Sequence, residues 1–304
     1  MVTVEKTGSS LIITANKQIP LFARPLYFGY SLTDRIGELW SYRELVRNLV
    51  VRDLKVRYRN SALGVLWSLV NPMLMMLVFT IVFTVIAPTT NIEKFPVFVL
   101  CGILPWNFFS FSVIGSIRSI VDNAPLVSKV YFPREVLPIS VVLANLINFL
   151  IALLVLFAFI LVFQIPLTPW ILLLPLVILV QVIFIVGVGL MMATMNVFYR
   201  DTQVIMEVLM QAWFFLTPIF YPGEILPRNY HVLGFAIDVW RWMNILNPMA
   251  SIVATYRVII YGVGNGGAPP DLYFFLRTVL TCVAVLGLGS LIFYRYCRNF
   301  GEEV

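Results

Sequence analysis

Residues 136–199 read VLPISVVLANLINFLIALLVLFAFILVFQIPLTPWILLLPLVILVQVIFIVGVGLMMATMNVFY, 64 positions without one Asp, Glu, Lys or Arg. As a single helix this stretch would extend about 96 Å, three bilayer cores, so the chain must fold back on itself. The break is Gln164, Pro166, Thr168 and Pro169, which separates a span near 138–163 from one near 170–196. Two membrane-length helices meeting at a break this short make the chain an integral membrane protein.

Composition agrees along the whole chain. Hydrophobic residues make up 60% and charged residues only 12% of the 304 positions, about half the charge of an ordinary soluble domain. The first 30 residues have no apolar stretch long enough for a secretory signal, so the N-terminus is expected to stay in the cytoplasm. Cys101, Cys282 and Cys297 fall in or at the end of apolar runs without metal-ligand spacing and read as small hydrophobes. The net charge of +6 does not point to nucleic acid. Ten of the 21 Lys and Arg lie in residues 1–60, beside the first apolar run. Membrane orientation and anionic lipid at the cytoplasmic face account for that cluster.

Upstream of the central stretch, residues 1–33 form an N-terminal extension with Pro20 and Pro25 and no clear period. Residues 34–60 place Ile36, Leu39, Trp40, Leu45, Val46 and Leu49 at helical spacing, with Arg43, Glu44 and Arg47 on the other side. The pattern predicts an amphipathic helix in the cytoplasmic interface, with Ser41 and Glu44 capping its second part. A first span near 63–87 contains Asn71-Pro72, and a second near 95–117 contains Gly102 and Pro105 and ends at Arg118.

Between Arg118 and the central stretch lies a polar, proline-marked segment, DNAPLVSKVYFPREVLP (122–138). Its charges keep it at the water interface. Lys129, Tyr131, Phe132, Arg134 and Glu135 set an aromatic pair beside a charge pair, the composition of a docking surface.

Downstream, Phe198, Tyr199, Arg200 and Asp201 form a polar turn, and a fifth span runs from about 203 to 221. Residues 222–271 combine Pro222, Glu224, Pro227, Arg228, Asp238, Arg241 and Pro248 with many aromatics. The apolar part, Val232 to Leu246, would be about 22 Å long as a helix, too short to cross. This region is expected to form two interfacial or re-entrant helices broken at Asn247-Pro248, with Asp238 and Arg241 paired at i,i+3. A last span near 272–294 ends in Arg295 and Arg298, and residues 299–304 form a tail. The fold class is therefore all-α integral membrane with six spans. With both termini in the cytoplasm, 16 of the 21 Lys and Arg fall on the inner side, as the positive-inside rule requires.

Gly262, Gly264 and Gly267 satisfy G-x-G-x-x-G, but Pro269-Pro270 follows where a helix should start, so the cluster reads as a loop. No G-x-x-x-x-G-K-[ST] occurs in the sequence. If ATP drives the protein, a second subunit binds it. His231 is the only histidine and has no partners for a metal or nucleophile site. Along the fifth span Gln203, Glu207 and Gln211 recur every four residues and give that helix one polar face. An ionisable residue at the depth of Glu207 either faces a water-lined path or lies close enough to the cytoplasmic surface to reach water. Trp67, Phe79 and Phe83 on the first span, and Trp213, Phe214, Phe215, Phe220 and Tyr221 on the fifth, would suit the apolar faces of sugar rings. Each of them also suits lipid contact or an interfacial belt.

Taken together, LVVRDLKVRYRNSALGVLWSLVNPM (49–73), PLVSKVYFPREVLP (125–138), NVFYRDTQ (196–203), TPIFYP (217–222) and LNPM (246–249) resemble a known family. It is that of the permease subunits of ABC-type exporters for polysaccharides and polyol phosphates, the group that moves lipid-linked O-antigen and teichoic acid. The likeness covers about residues 35–298, and the first 30 residues extend beyond it. It implies a homodimer of six-span permeases in the cytoplasmic membrane of a bacterium or archaeon, with two nucleotide-binding ATPase subunits. ATP and Mg would sit on those partners, with no cofactor, metal or catalytic residue in this chain. It further implies that the segment 122–137 is the coupling helix, with Lys129, Tyr131, Phe132, Arg134 and Glu135 meeting the ATPase. The path would run along the first and fifth spans, past Trp67, Phe79, Phe83, Gln203, Glu207, Gln211, Trp213, Phe214 and Phe215. Tyr221, Asp238 and Arg241 would lie near the outer gate. The alternatives are an exporter of drugs or small lipids and a membrane enzyme acting on lipid-linked sugars, although Glu93, Asp122 and Asp201 stand too isolated for paired-carboxylate chemistry.

Overall fold

Apolar chain surrounded by lipid must satisfy its own backbone N–H and C=O groups, and helices do this within one segment. The computed structural model describes residues 32–59, 66–82, 94–221, 227, 230–232, 235–262 and 271–303, and nearly all of them are helical. Residues 1–31, Phe83, Glu93, Arg228, Gly264 and Gly267 lie outside the described residues.

The first described helices are α1 (Leu32–Ser41), which belongs to the first of two units, and α2 (Arg43–Tyr58), which belongs to the second. The expected Ser41–Glu44 capping box does not form. Ser41 Oγ donates back to the Glu38 carbonyl at 2.6 Å, and Tyr42 stands at the N-cap of α2. There follow α3 (Trp67–Thr80) with Pro72 inside it, α4 (Phe95–Arg118), a 3₁₀ turn Val121–Asn123, α5 (Ala124–Lys129) and α6 (Val136–Val162). A 3₁₀ turn Pro169–Leu173 leads into α7 (Leu174–Phe198), and α8 (Thr202–Leu216) follows the polar turn.

Four helices among the described residues are long and apolar enough to cross a membrane: α4, α6, α7 with its leading turn, and the last long helix, α11 (Leu272–Tyr296). The count rises to five if the bent pair α9 (Val239–Leu246) and α10 (Pro248–Tyr256), the latter continued by a π-turn Arg257–Tyr261, is one span. The pair bends by 102° at the predicted Asn247-Pro248 break. A short helix, α12 (Phe300–Glu303), ends the described chain.

Two expectations change. The apolar run from Val232 does not begin as helix: an antiparallel hairpin, β1 (Tyr230–Val232) and β2 (Phe235–Ile237), precedes α9, and His231 lies in β1. The fifth span stops at Leu216 rather than 221, because Pro218 holds Thr217 in an extended conformation (φ −100°, ψ 130°). At 14 and 15 residues, α3 and α8 extend about 21 and 22 Å, short of the hydrocarbon core.

The break in the central stretch is a Schellman turn. Gln164 adopts φ 51°, its N–H reaches the Leu161 carbonyl at 3.2 Å, and the Ile165 N–H reaches Ile160 at 3.0 Å. Both are the bonds that satisfy a helix's last carbonyls when one residue turns left-handed.

At the centre, α4 is the most enclosed of the long helices, packed against α6, α7, α8 and α10. The closest helix pair is α7 with α11. A Cβ at Gly289 would stand 2.1 Å from the Gly187 carbonyl oxygen, so the two backbones touch where no side chain fits. Cys101, Cys282 and Cys297 are all buried. Exposed apolar side chains line α3 (Leu74, Leu77, Val78) and α8 (Val204, Ile205, Val208, Leu209), surface that only lipid or another chain can cover.

Candidate functional site

One face of α4 and one face of α8 enclose a groove of about 830 Å³. Trp106, Ser110, Phe111, Ile114 and Gly115 come from α4 at helical three-, four- and five-residue spacing, and Glu207, Met210, Gln211, Phe214 and Phe215 come from α8. Arg57, at the last turn of α2, closes one side. Its Nη2 donates to Asn145 Oδ1 on α6 at 2.8 Å, and beside it Tyr58 OH donates to Asn148 Oδ1 at 2.6 Å. These bonds fix the end of α2 against α6. The polar stripe of α8 borders its buried stripe of Thr202, Met206 and Met210, which sets Glu207 and Gln211 at the groove and exposed. Gln203 donates to Glu207 Oε1 at 2.8 Å, one turn away, and so fixes the carboxylate.

The predicted path residues separate into three groups. Glu207, Gln211, Phe214 and Phe215 meet at the groove, and Gln203 joins them through Glu207. Trp67 lines a neighbouring cavity of about 260 Å³ with Asn71, Asn107 and Asn148, and Arg57 borders both cavities. Phe79 and Trp213 do neither. Phe79 packs on Phe220 at 4.8 Å between ring centroids, and Trp213 stands among Trp106, Phe109 and Phe184. The Trp213 indole N–H donates to Asn247 Oδ1 at 2.8 Å, which ties α8 to the α9–α10 break.

Near the far end of α8, Tyr221 OH donates to the Phe215 carbonyl at 3.3 Å. The expected Asp238–Arg241 pair exists in another form: Asp238 Oδ1 accepts from the backbone N–H of Arg241 at 2.9 Å and caps α9.

In the segment 122–138, expected to couple to an ATPase, the five predicted residues point two ways. Lys129 and Tyr131 are exposed, Tyr131 by 52%, with Val130 between them. Phe132 and Glu135 are buried, and Arg134 is half-buried. Tyr294 OH, on the last turn of α11, donates to Glu135 Oε1 at 2.9 Å. Arg134 Nη1 donates to the Cys297 carbonyl, and its guanidinium lies 6.0 Å from the Phe300 ring centroid. From the other side, Arg52 on α2 donates to Asn123 Oδ1 at 2.8 Å.

Sequence reasoning missed Arg57, Trp106, Ser110 and Phe111. Arg57 reads as one more cation of a basic interface helix, and the α4 residues read as ordinary span. It also missed Arg257, which sits in the π-turn with Cζ 3.8 Å from the Phe98 ring centroid. Its guanidinium donates to the carbonyls of Pro218, Ile219 and Tyr221, where the TPIFYP motif has left them without helical partners. Gly102 makes room for it, since a Cβ there would stand 2.9 Å from Nη2.

Residues 44–261, which include most of α2, the groove and residues 122–138, match the family described as ABC-2 type transporter. The chain belongs to that family. Among its relatives, the O-antigen export system permease protein RfbA of Myxococcus xanthus is 37% identical over 270 residues, 88% of this chain and 98% of the relative. A protein of the same description from Klebsiella pneumoniae is 30% identical over 265 residues, 86% and 96% of the two chains. The polysialic acid transport protein KpsM of Escherichia coli is 25% identical over 218 residues, 70% of this chain and 79% of the relative. For this ABC-2 chain, then, the groove and residues 122–138 lie on a multi-pass membrane scaffold of permease type.

Proposed function

We propose that this chain is the permease subunit of an ATP-driven exporter that moves a lipid-linked polysaccharide from the cytoplasmic to the outer face of a bacterial or archaeal cytoplasmic membrane. The observation that carries this reading is the groove. Hydroxyl groups of a glycan would find Arg57 and Gln211 as donors, Glu207 as acceptor and Ser110 as either. The C–H faces of the sugar rings would meet Phe111, Phe214 and Phe215. Relatives named for O-antigen and polysialic acid favour a polymer of sugars over a drug or a small lipid.

The working unit is two copies of this chain with two ATPase subunits, and ATP and Mg belong to the latter. The exposed apolar faces of α3 and α8 support a second copy, and six crossings result when both short helices span. Both termini and the coupling segment then lie in the cytoplasm, with α2 at the interface. Lys129, Val130 and Tyr131 would meet the ATPase, while Tyr221, Asp238 and Arg241 stand near the exit. Closure of the ATPases shifts the permease only through contacts that differ between their two states.

Co-expression with its ATPase subunit, followed by pull-down and by ATP hydrolysis measured with candidate lipid-linked glycans, tests the reading. The complex should form, and a glycan should stimulate hydrolysis. Stimulation by small amphiphiles alone would overturn it. Glu207→Leu should lower transport at least tenfold at an unchanged membrane level; unchanged transport would remove Glu207 from the path.

A further inference from the structure

Three contacts hold the coupling segment to residues 294–300, far from it in sequence, and two more hold Phe300 to α11 and α7. Glu135 accepts from Tyr294 at 2.9 Å, and Arg134 reaches both the Cys297 carbonyl and the Phe300 ring. Phe300 is fully buried, 5.4 Å from Phe293 of α11 and 6.2 Å from Phe198 at the end of α7. Beyond these, α7 and α11 touch backbone to backbone at Gly187 and Gly289.

We infer that the C-terminal turn, Tyr294 to Phe300, is the second half of the coupling device. It clamps the coupling segment to α11, and through the glycine contact to α7, so that a push on Lys129–Tyr131 moves three elements as one body. This rests on the ATPase-docking reading above.

Covalent connection alone would carry a displacement of the segment into α4 and α6, its chain neighbours. The clamp adds a path to the opposite end of the sequence. Its chemistry suits a joint that must not slip. A carboxylate at the first turn of α6 is favoured there by the helix dipole, and a phenol donating to it makes a directional bond between rigid helix ends. Arg134 adds a planar donor that addresses a carbonyl and an aromatic face together. Glu135 and Arg134 are therefore positioning residues, and Tyr131 and Lys129 are the contact surface.

The test uses the full chain co-purified with its ATPase subunit. Tyr294→Phe and Glu135→Leu should each leave the ATPase subunit bound at the wild-type ratio and basal hydrolysis unchanged, while transport falls at least tenfold. The double variant should be no worse than either single one. Glu135→Gln, which still accepts from the phenol, should stay within twofold of wild type. Normal transport by both single variants would overturn the clamp. So would loss of the ATPase subunit from the single variants, which would make these residues the docking surface itself. Failure of the docking reading shows elsewhere: Tyr131→Ala would then retain the ATPase subunit.

Discussion

The two ends of the bundle are held by different means. At the end opposite residues 122–138, the helices after α8 begin on side-chain caps close in sequence: Asp238 for α9, Asn247 for α10 and Asp271 for α11. At the coupling end, α5, α6 and α8 begin without a side-chain cap. Bonds across 71, 163 and 159 residues hold that end instead, from Arg52, Arg134 and Tyr294. The first end adds these caps to its tertiary bonds, such as Thr168 Oγ1 to the Ile259 carbonyl at 2.8 Å, whereas the other lacks caps at these three helix starts and leans on contacts between distant elements, which suits a joint.

The arginines sharpen this contrast most. Both are half-buried, but Arg257 serves carbonyls at three positions and Arg134 serves one. Arg257→Met should therefore strand buried carbonyls and lower stability by about 3 kcal/mol, read as a lower thermal midpoint in detergent and a lower membrane level. Arg134→Met should cost about 1 kcal/mol and affect transport far more than stability. Lys at 257 should recover only part of the loss, because an ammonium cannot match the planar fork that reaches several carbonyls. A larger stability loss at 134 than at 257 would reverse the comparison.

What could be read in the sequence follows the same division. The absence of charge over 136–199 settles two helices and their break, and Asn247-Pro248 marks a bend that forms where expected. These signals are local. The groove was half legible: the four-residue recurrence of Gln203, Glu207 and Gln211 identifies a polar face on α8, but the opposing residues of α4 look like any buried span. Arg57 and Arg257 were illegible because a lone cation's meaning lies in what surrounds it. Nothing near Arg257 in the sequence announces that Pro218 frees carbonyls 39 residues earlier. The coupling segment was recognised as a surface, but which of its side chains turn inward depends on Tyr294 and Cys297, at the far end of the chain.

The next largest effect belongs to Asn247, where the local rule meets a tertiary contact. Its Oδ1 accepts from the Ala250 N–H and from Trp213, and its Nδ2 donates to Thr217 Oγ1 at 2.9 Å. Asn247→Ala should cost about 2 kcal/mol, one part cap and one part stranded indole donor. Asn247→Asp keeps both acceptor roles and loses the donor, so it should fall between the two in thermal midpoint. Equal losses in both variants would mean that the tie to Thr217, and not the cap, holds the bend.

The smallest effect isolates the cap by itself. Asp271 is exposed, and its Oδ1 accepts from the N–H groups of Tyr273 and Phe274 at 3.0 and 3.3 Å, its side-chain bonds among the described residues. Asp271→Ala should cost about 1 kcal/mol and Asp271→Asn only a few tenths, since Asn caps nearly as well. Because this end carries no joint, transport by Asp271→Ala should fall only as far as its membrane level does. If transport fell further at normal level, the start of α11 would have to move during the cycle, and the division into a fixed end and a jointed end would fail at the helix that connects them.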